Sequence, residues 1–153
     1  MNDFDKLRQK LDKLLDGLLG SEEMKEIGDY AAGLIKERTR KGFGSNNGKA
    51  SRLQKLKKGY TKQREKLKAK GQLSAETTPS KSNLTKTGEM LDNIQVTPGK
   101  NEVTLGFTSN NEKKARYVTE KGRPFFGLST KEQWKVNKII KDAVKAAIKK
   151  QGL

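Results

Sequence analysis

Leu84-Thr85-Lys86-Thr87-Gly88-Glu89-Met90-Leu91, then Ile94-Gln95-Val96, a Pro98-Gly99 turn and Val103-Thr104-Leu105-Gly106-Phe107, lead into Arg116-Tyr117-Val118-Thr119-Glu120-Lys121-Gly122 and Arg123-Pro124-Phe125-Phe126-Gly127-Leu128-Ser129. Only in this stretch do strand alternation, turn residues and an aromatic cluster coincide. Ile94 and Val96 alternate with Gln95 and Thr97, and Val103, Leu105 and Phe107 alternate with Thr104 and Gly106. That period of two belongs to a half-buried hairpin. The residues Pro98 to Glu102 form a loop of ordinary hairpin length. With one apolar face, the hairpin needs helices to cover it. Thr85 or Thr87 can cap a short helix carrying Leu84, Gly88 and Leu91 on one side. Gly88 within that side reads either as close approach by another backbone or as a plain interruption. Ser109 to Lys114 reads as a second turn, and Ala115 to Val118 as a weak third strand or a short helix.

Helices flank this centre. Phe4, Leu7, Leu11, Leu14, Leu15, Leu18 and Leu19 recur at three- and four-residue spacing, which predicts an amphipathic helix over residues 3–19. It serves either as a core helix or as an oligomer seam. Asp3 and Asp5 favour its N-terminal end, and Gly20 is a stop. Ser21 caps a second helix with Glu22 and Glu23 in its first turn, whose buried face is Met24, Ile27, Ala31, Leu34 and Ile35. It ends near Lys41. At the other end, Ser129 and Glu132 spell a capping box. Val136, Ile139, Ile140, Ala143, Val144, Ala147 and Ile148 then fill one helical face, and Lys135, Lys138, Lys141, Lys145 and Lys149 fill the other.

Between the second helix and the central stretch the chain is basic. Residues 36–70 hold 14 Lys and Arg against two acids, Glu37 and Glu65. Gly42-Phe43-Gly44-Ser45-Asn46-Asn47-Gly48 is breaker chemistry and reads as a flexible turn. Its closing Gly48-Lys49 invites a phosphate-loop reading, which fails: Phe43 stands where the first glycine belongs, and Ala50 where Ser or Thr belongs. Residues 42–83 are expected as an extended basic arm and linker. Like-charge repulsion opposes helix there in the free chain, and the Ser, Thr and Pro79 of residues 71–83 are linker composition. Arg38, Arg40, Lys41, Lys49, Arg52, Lys55, Lys57, Lys58, Lys62 and Arg64 are the candidate polyanion-facing cations. Lysines dominate and few aromatics are interleaved, so contact would neutralise phosphates rather than read bases.

Composition sets the outer limits. Of 153 residues, 31% are apolar and 34% charged, with a net charge of +16. Leu, Ile, Val and Phe make up about a fifth of the chain, so a single domain with a small core is expected. The charge implies a polyanion, with nucleic acid first, an acidic protein surface second and anionic lipid a distant third. No apolar run reaches the ~20 residues of a membrane span, and the acidic start lacks the pattern of a signal peptide. Cysteine and histidine are absent, which excludes disulfides, thiol nucleophiles, histidine bases and the usual zinc ligand sets. A carboxylate nuclease using Glu89, Asp92 or Glu102 lacks any paired-acid spacing. The expectation is a protein without catalysis, metal or cofactor.

The central stretch resembles the virion-morphogenesis and tail-completion proteins of tailed bacteriophages, the neck proteins that join head to tail. Leu84, Thr87, Gly88 and Ile94 stand at the spacing of their L-x-x-T-G-x-L-x-x-S-I element, with Leu91 one residue past its second leucine. Tyr117 and Gly122 resemble a Y-A-x-x-x-x-x-G element that is two residues shorter here, with Val118 in place of Ala. Arg123 to Ser129 match R-P-F-L-G-L-S, with Phe126 in place of Leu. Gly48, Leu56 and Tyr60 echo a glycine-led upstream element without its tryptophan. The resemblance implies an α+β fold, with a small antiparallel sheet built on the hairpin and packed by N-terminal and C-terminal helices. Residues 1–153 then form one domain: helices over 1–41, arm over 42–83, short helix and sheet over 84–128, and a last helix over 129–150. It further implies a homo-oligomeric ring, commonly of six or twelve copies, at the head–tail junction of the virion. The partners implied are the connector or adaptor and the tail terminator or tail tube, with packaged double-stranded DNA passing through. Gly88, Tyr117, Arg123, Pro124, Phe125, Phe126 and Trp134 are the candidate interface residues on that reading. The contrasting reading is a basic module, made and kept in the cytoplasm, that binds nucleic acid without sequence preference through residues 36–70.

Overall fold

Helix α1 (Ser21–Arg40) is the element against which both hairpins and the last helix pack. The computed structural model describes residues 17–73 and 89–152, together with residues 2, 3, 5, 6 and 9. Within them the order after α1 is β1 (Phe43–Asn46), β2 (Lys49–Arg52), α2 (Lys58–Ala69), α3 (Glu89–Asp92), β3 (Gln95–Pro98), β4 (Val103–Gly106), α4 (Ser109–Glu120) and α5 (Thr130–Lys150). The fold class is α+β, with two separate two-stranded antiparallel sheets rather than one. The leucine stripe of residues 3–19 falls mostly outside the described residues, as do Leu84 to Gly88 and the linker from residue 74.

α1 buries two sides. Ala32 and Ile35 join Leu53, Leu91, Ile94, Ala115 and Phe125 in one apolar cluster. Met24, Ile27 and Ala31 join Val136 of α5 in a second, with Leu19, Ile139 and Ile140 packed against it. The apolar periodicity anticipates the second face. It does not anticipate Gly28, on which the hairpin β3–β4 lies. A Cβ placed there would come within 2.4 Å of a Val96 methyl carbon and 2.5 Å of a Val103 methyl carbon. The helix interior accepts a glycine because its missing side chain lets the sheet approach. In that hairpin Val96 pairs with Leu105 and Pro98 with Val103, so the alternation read from sequence sets the observed register.

Four local expectations are corrected. Gly20, not Ser21, is the N-cap of α1, and no side chain caps it. Residues 43–52 form a hairpin where a flexible turn was expected: Asn47 (φ 49°) and Gly48 (φ 80°) occupy the two left-handed positions of a tight primed turn. The Asn-Gly pair signals this, but its flanks, Phe43-Gly44-Ser45-Asn46 and Lys49-Ala50-Ser51-Arg52, lack apolar alternation. The arm is not extended through residue 70 either, since Lys58–Ala69 is helical. Good helix formers outweigh repulsion there, and Lys66 and Lys68 favour the C-terminal end of the dipole. Finally, Ser109–Glu120 is one helix: the turn expected over residues 109–114 is helical, and of the strand and short helix left open for residues 115–118 the helix is found. Asn111 and Ala115 are buried and Val118 half-buried at helical spacing, turning an otherwise polar segment toward the core.

Two glycines of α1 give opposite expected outcomes. Gly28→Leu lowers unfolding stability by about 1–3 kcal/mol through overpacking against Val96 and Val103. Gly33, with nothing within 4 Å of an added Cβ, gains stability as alanine by up to ~1 kcal/mol of helix propensity. Urea titration followed by circular dichroism measures both.

Candidate functional site

The best-defined polar constellation joins the end of α1 to the start of α5. Ser129 is the N-cap of α5: its hydroxyl accepts the Glu132 N–H, and its own N–H donates to a Glu132 carboxylate oxygen at 2.8 Å. That capping box is the one the sequence spells. The same carboxylate oxygen accepts a hydrogen bond from the Arg38 guanidinium, which also donates to the carbonyls of Phe125 and of Gly127, the latter at 2.9 Å. Arg38 and Glu132 are each 8% exposed. Burial pushes the Arg38 pKa down from its ordinary value, and the adjacent Glu132 charge opposes that shift. Arg38 is therefore a structural clasp and does not face a polyanion.

The Arg123–Ser129 segment is threaded between this clasp and the first hairpin. The Ser45 N–H donates to the Pro124 carbonyl at 3.0 Å, and the Thr130 N–H donates to the Gly48 carbonyl at 2.9 Å. Gly44 lies so close that a Cβ would sit 2.1 Å from the Pro124 oxygen. Phe125 is fully buried, whereas Phe126 is 39% exposed and rests on Phe107 with ring centroids 4.7 Å apart. Pro124 and Arg123 are half-buried. Tyr117 (59% exposed, with the Lys121 ammonium 5.5 Å from its ring centre) and Trp134 (67% exposed) stand out from the surface. Gly88 lies outside the described residues. The candidate interface set thus divides into Phe125 in the core, a half-buried strap, and three outward aromatics.

The candidate polyanion-facing cations divide as well. Arg64 is 3% exposed, with its guanidinium 5.8 Å from the Tyr60 ring centre. Burial lowers its pKa, partly offset by Tyr60. Arg40 donates to Asp92 at 2.8 Å and Lys41 to Glu37 at 2.6 Å. The Lys41 ammonium holds the Glu37 carboxyl below its usual pKa range, with a smaller contribution from Lys135. Lys49, Arg52, Lys55, Lys57, Lys58 and Lys62 are exposed on β2, the following segment and α2. Every residue of β2 is exposed, so the six cations line an open strand edge and the helix after it.

The acids considered for a nuclease do not converge: Glu89 accepts from Lys114 at 3.0 Å, Asp92 from Arg40, and Glu102 lies in the β3–β4 loop. Among the described residues no group of three or more His, Cys, Asp or Glu is placed to hold a metal ion. A cleft of about 250 Å³ opens where Leu34, Phe43 and Ala50 meet Lys41, Lys131 and Lys135. That is just below the ~300 Å³ at which small-molecule sites begin. Among the described residues no helix is long and apolar enough to cross a membrane.

Arg38→Met leaves the largely buried Glu132 carboxylate and two carbonyls without their guanidinium partner, and is expected to cost about 3–5 kcal/mol of unfolding free energy. In a double-mutant cycle with Glu132→Gln the two losses should fall well short of additive, as read from urea midpoints. No family model, curated protein or solved structure matches the chain.

Proposed function

We propose that this chain is a structural, non-catalytic subunit of the neck of a tailed-bacteriophage particle. Copies made in the host cytoplasm assemble as a ring between the connector and the tail terminator or tail tube, and packaged DNA passes through it. The observation that carries this reading is the ordered series Leu84-Thr87-Gly88-Leu91-Ile94, Tyr117-Gly122 and Arg123 to Ser129, in one chain of net charge +16. The distribution of its members supports it. Leu91, Ile94 and Phe125 are core residues that hold the strap in place. Tyr117 and Phe126 remain outward, where a neighbouring subunit can cover them. A ring of subunits with this charge surrounds its bore with a positive field, which suits a conduit for a polyanion.

Antibody–gold labelling of purified particles tests it directly. Gold confined to the head–tail junction is expected. Unlabelled particles, with the protein abundant in the lysate, would overturn the proposal.

The exposed cations of β2 and α2 favour a second reading, sequence-independent nucleic-acid binding by the free subunit. On that reading, replacing Lys55, Lys57, Lys58 and Lys62 together with alanine weakens duplex binding. For every phosphate no longer neutralised, the slope of log affinity against log salt also becomes shallower by ~0.9. An unchanged slope sinks this reading and leaves the neck assignment standing.

A further inference from the structure

The exposed side of α5 carries a row of lysines that neither reading uses, with Trp134, an interface candidate of the neck reading, set inside it. Lys131, Trp134, Lys138, Lys141 and Lys145 follow one another at alternating steps of three and four residues, and all five are exposed. At a rise of about 1.5 Å per residue the stripe runs for roughly 21 Å along the helix. Its one intervening acid is the exposed Asp142, because Glu132 is buried in the clasp with Arg38. Trp134 is the chain's sole tryptophan and is 67% exposed, with the Lys138 ammonium 6.0 Å from its ring centre. A large aromatic left this far in water, inside a row of lysines, is unusual for a surface that only needs to be soluble.

We infer that this Trp134–lysine stripe is a binding surface for single-stranded nucleic acid, separate from the cations of β2 and α2. Two chemical demands are made at once: a repeating negative charge for the lysines and a flat π-surface for the indole. An acidic protein surface supplies charge at no fixed repeat, and a flat face only where an aromatic side chain happens to lie among its carboxylates. A duplex supplies phosphates, but its base faces are closed by stacking within the helix. An unpaired strand supplies both, with phosphates meeting Lys131, Lys138, Lys141 and Lys145 while one base stacks on Trp134. Binding of this kind tolerates any sequence, since every base has a π-face.

The sole tryptophan is its own reporter. Titrating the intact protein with (dT)20 at low salt should quench Trp134 emission. A 20-base-pair duplex and poly-L-glutamate at equal charge should leave that emission little changed, even where they bind elsewhere. Trp134→Ala should weaken (dT)20 binding about 5- to 150-fold, the range set by loss of one stacked base, while Trp134→Phe retains most of the affinity. A charge reversal at Lys138 and Lys145, both exposed, should weaken it as well with the circular dichroism spectrum unchanged. Three results would each overturn the inference: binding of (dT)20 without a change at Trp134, equal quenching by duplex or polyglutamate, or Trp134→Ala with unaltered affinity. Since the readout sits on α5, failure here leaves both the neck assignment and a β2–α2 nucleic-acid surface open to their own tests.

Discussion

Burying a charged guanidinium is costly unless acceptors meet its N–H groups, and Arg38 finds acceptors at three separate places in the chain while its Nε–H goes without one. It reaches from the last turn of α1 to Glu132 in the first turn of α5, and to the carbonyls of Phe125 and Gly127 between them. Glu132 is simultaneously the acidic half of the α5 capping box. One carboxylate oxygen therefore serves two tasks, starting a helix and neutralising a clasp. Neither task can be lost without disturbing the other.

The strap fixed in this way determines where the remaining parts sit. Its Pro124 carbonyl accepts the Ser45 N–H of β1, and the Gly48 carbonyl at the hairpin turn accepts the first N–H of α5. The small hairpin, too polar to be stable in isolation, is thereby hung on the strap and on the helix that the strap leads into. Phe125 goes into the core beside Ile35 and Leu91, whereas its neighbour Phe126 is turned outward onto Phe107. The same anchoring leaves β2 as an open basic edge and presents the lysine side of α5 to solvent.

Much of the fold was legible because it depended on short-range rules. The β3–β4 hairpin follows from period-two alternation around Pro98-Gly99, and the start of α5 follows from Ser129 and Glu132 at capping-box spacing. The apolar face of α1 follows from Met24, Ile27 and Ala31. The first hairpin was missed because its strands carry almost no apolar alternation, leaving Asn47-Gly48 as its only local signal. The start of α4 was missed because its polar residues, Ser109-Asn110-Asn111, have the composition of a turn. Only packing against the core reveals Asn111 and Ala115 as one buried face.

The candidate site divides along the same line. Charge, the order of motifs and the absence of cysteine and histidine are properties of composition and spacing, so the sequence by itself determined a basic, thiol-free chain with an aromatic strap before a capped helix. Which cations are free was decided only by the tertiary structure. Arg38 and Arg64 lie in a stretch, residues 36–70, that holds fourteen basic residues and look no different there from Lys58 or Lys62, yet both are buried. Trp134, by contrast, is the kind of residue a core would normally claim, and it stands in water among lysines. Burial depends on contacts between residues far apart in the chain, Arg38 with Glu132 or Gly28 with Val96 and Val103, and local spacing carries no record of them.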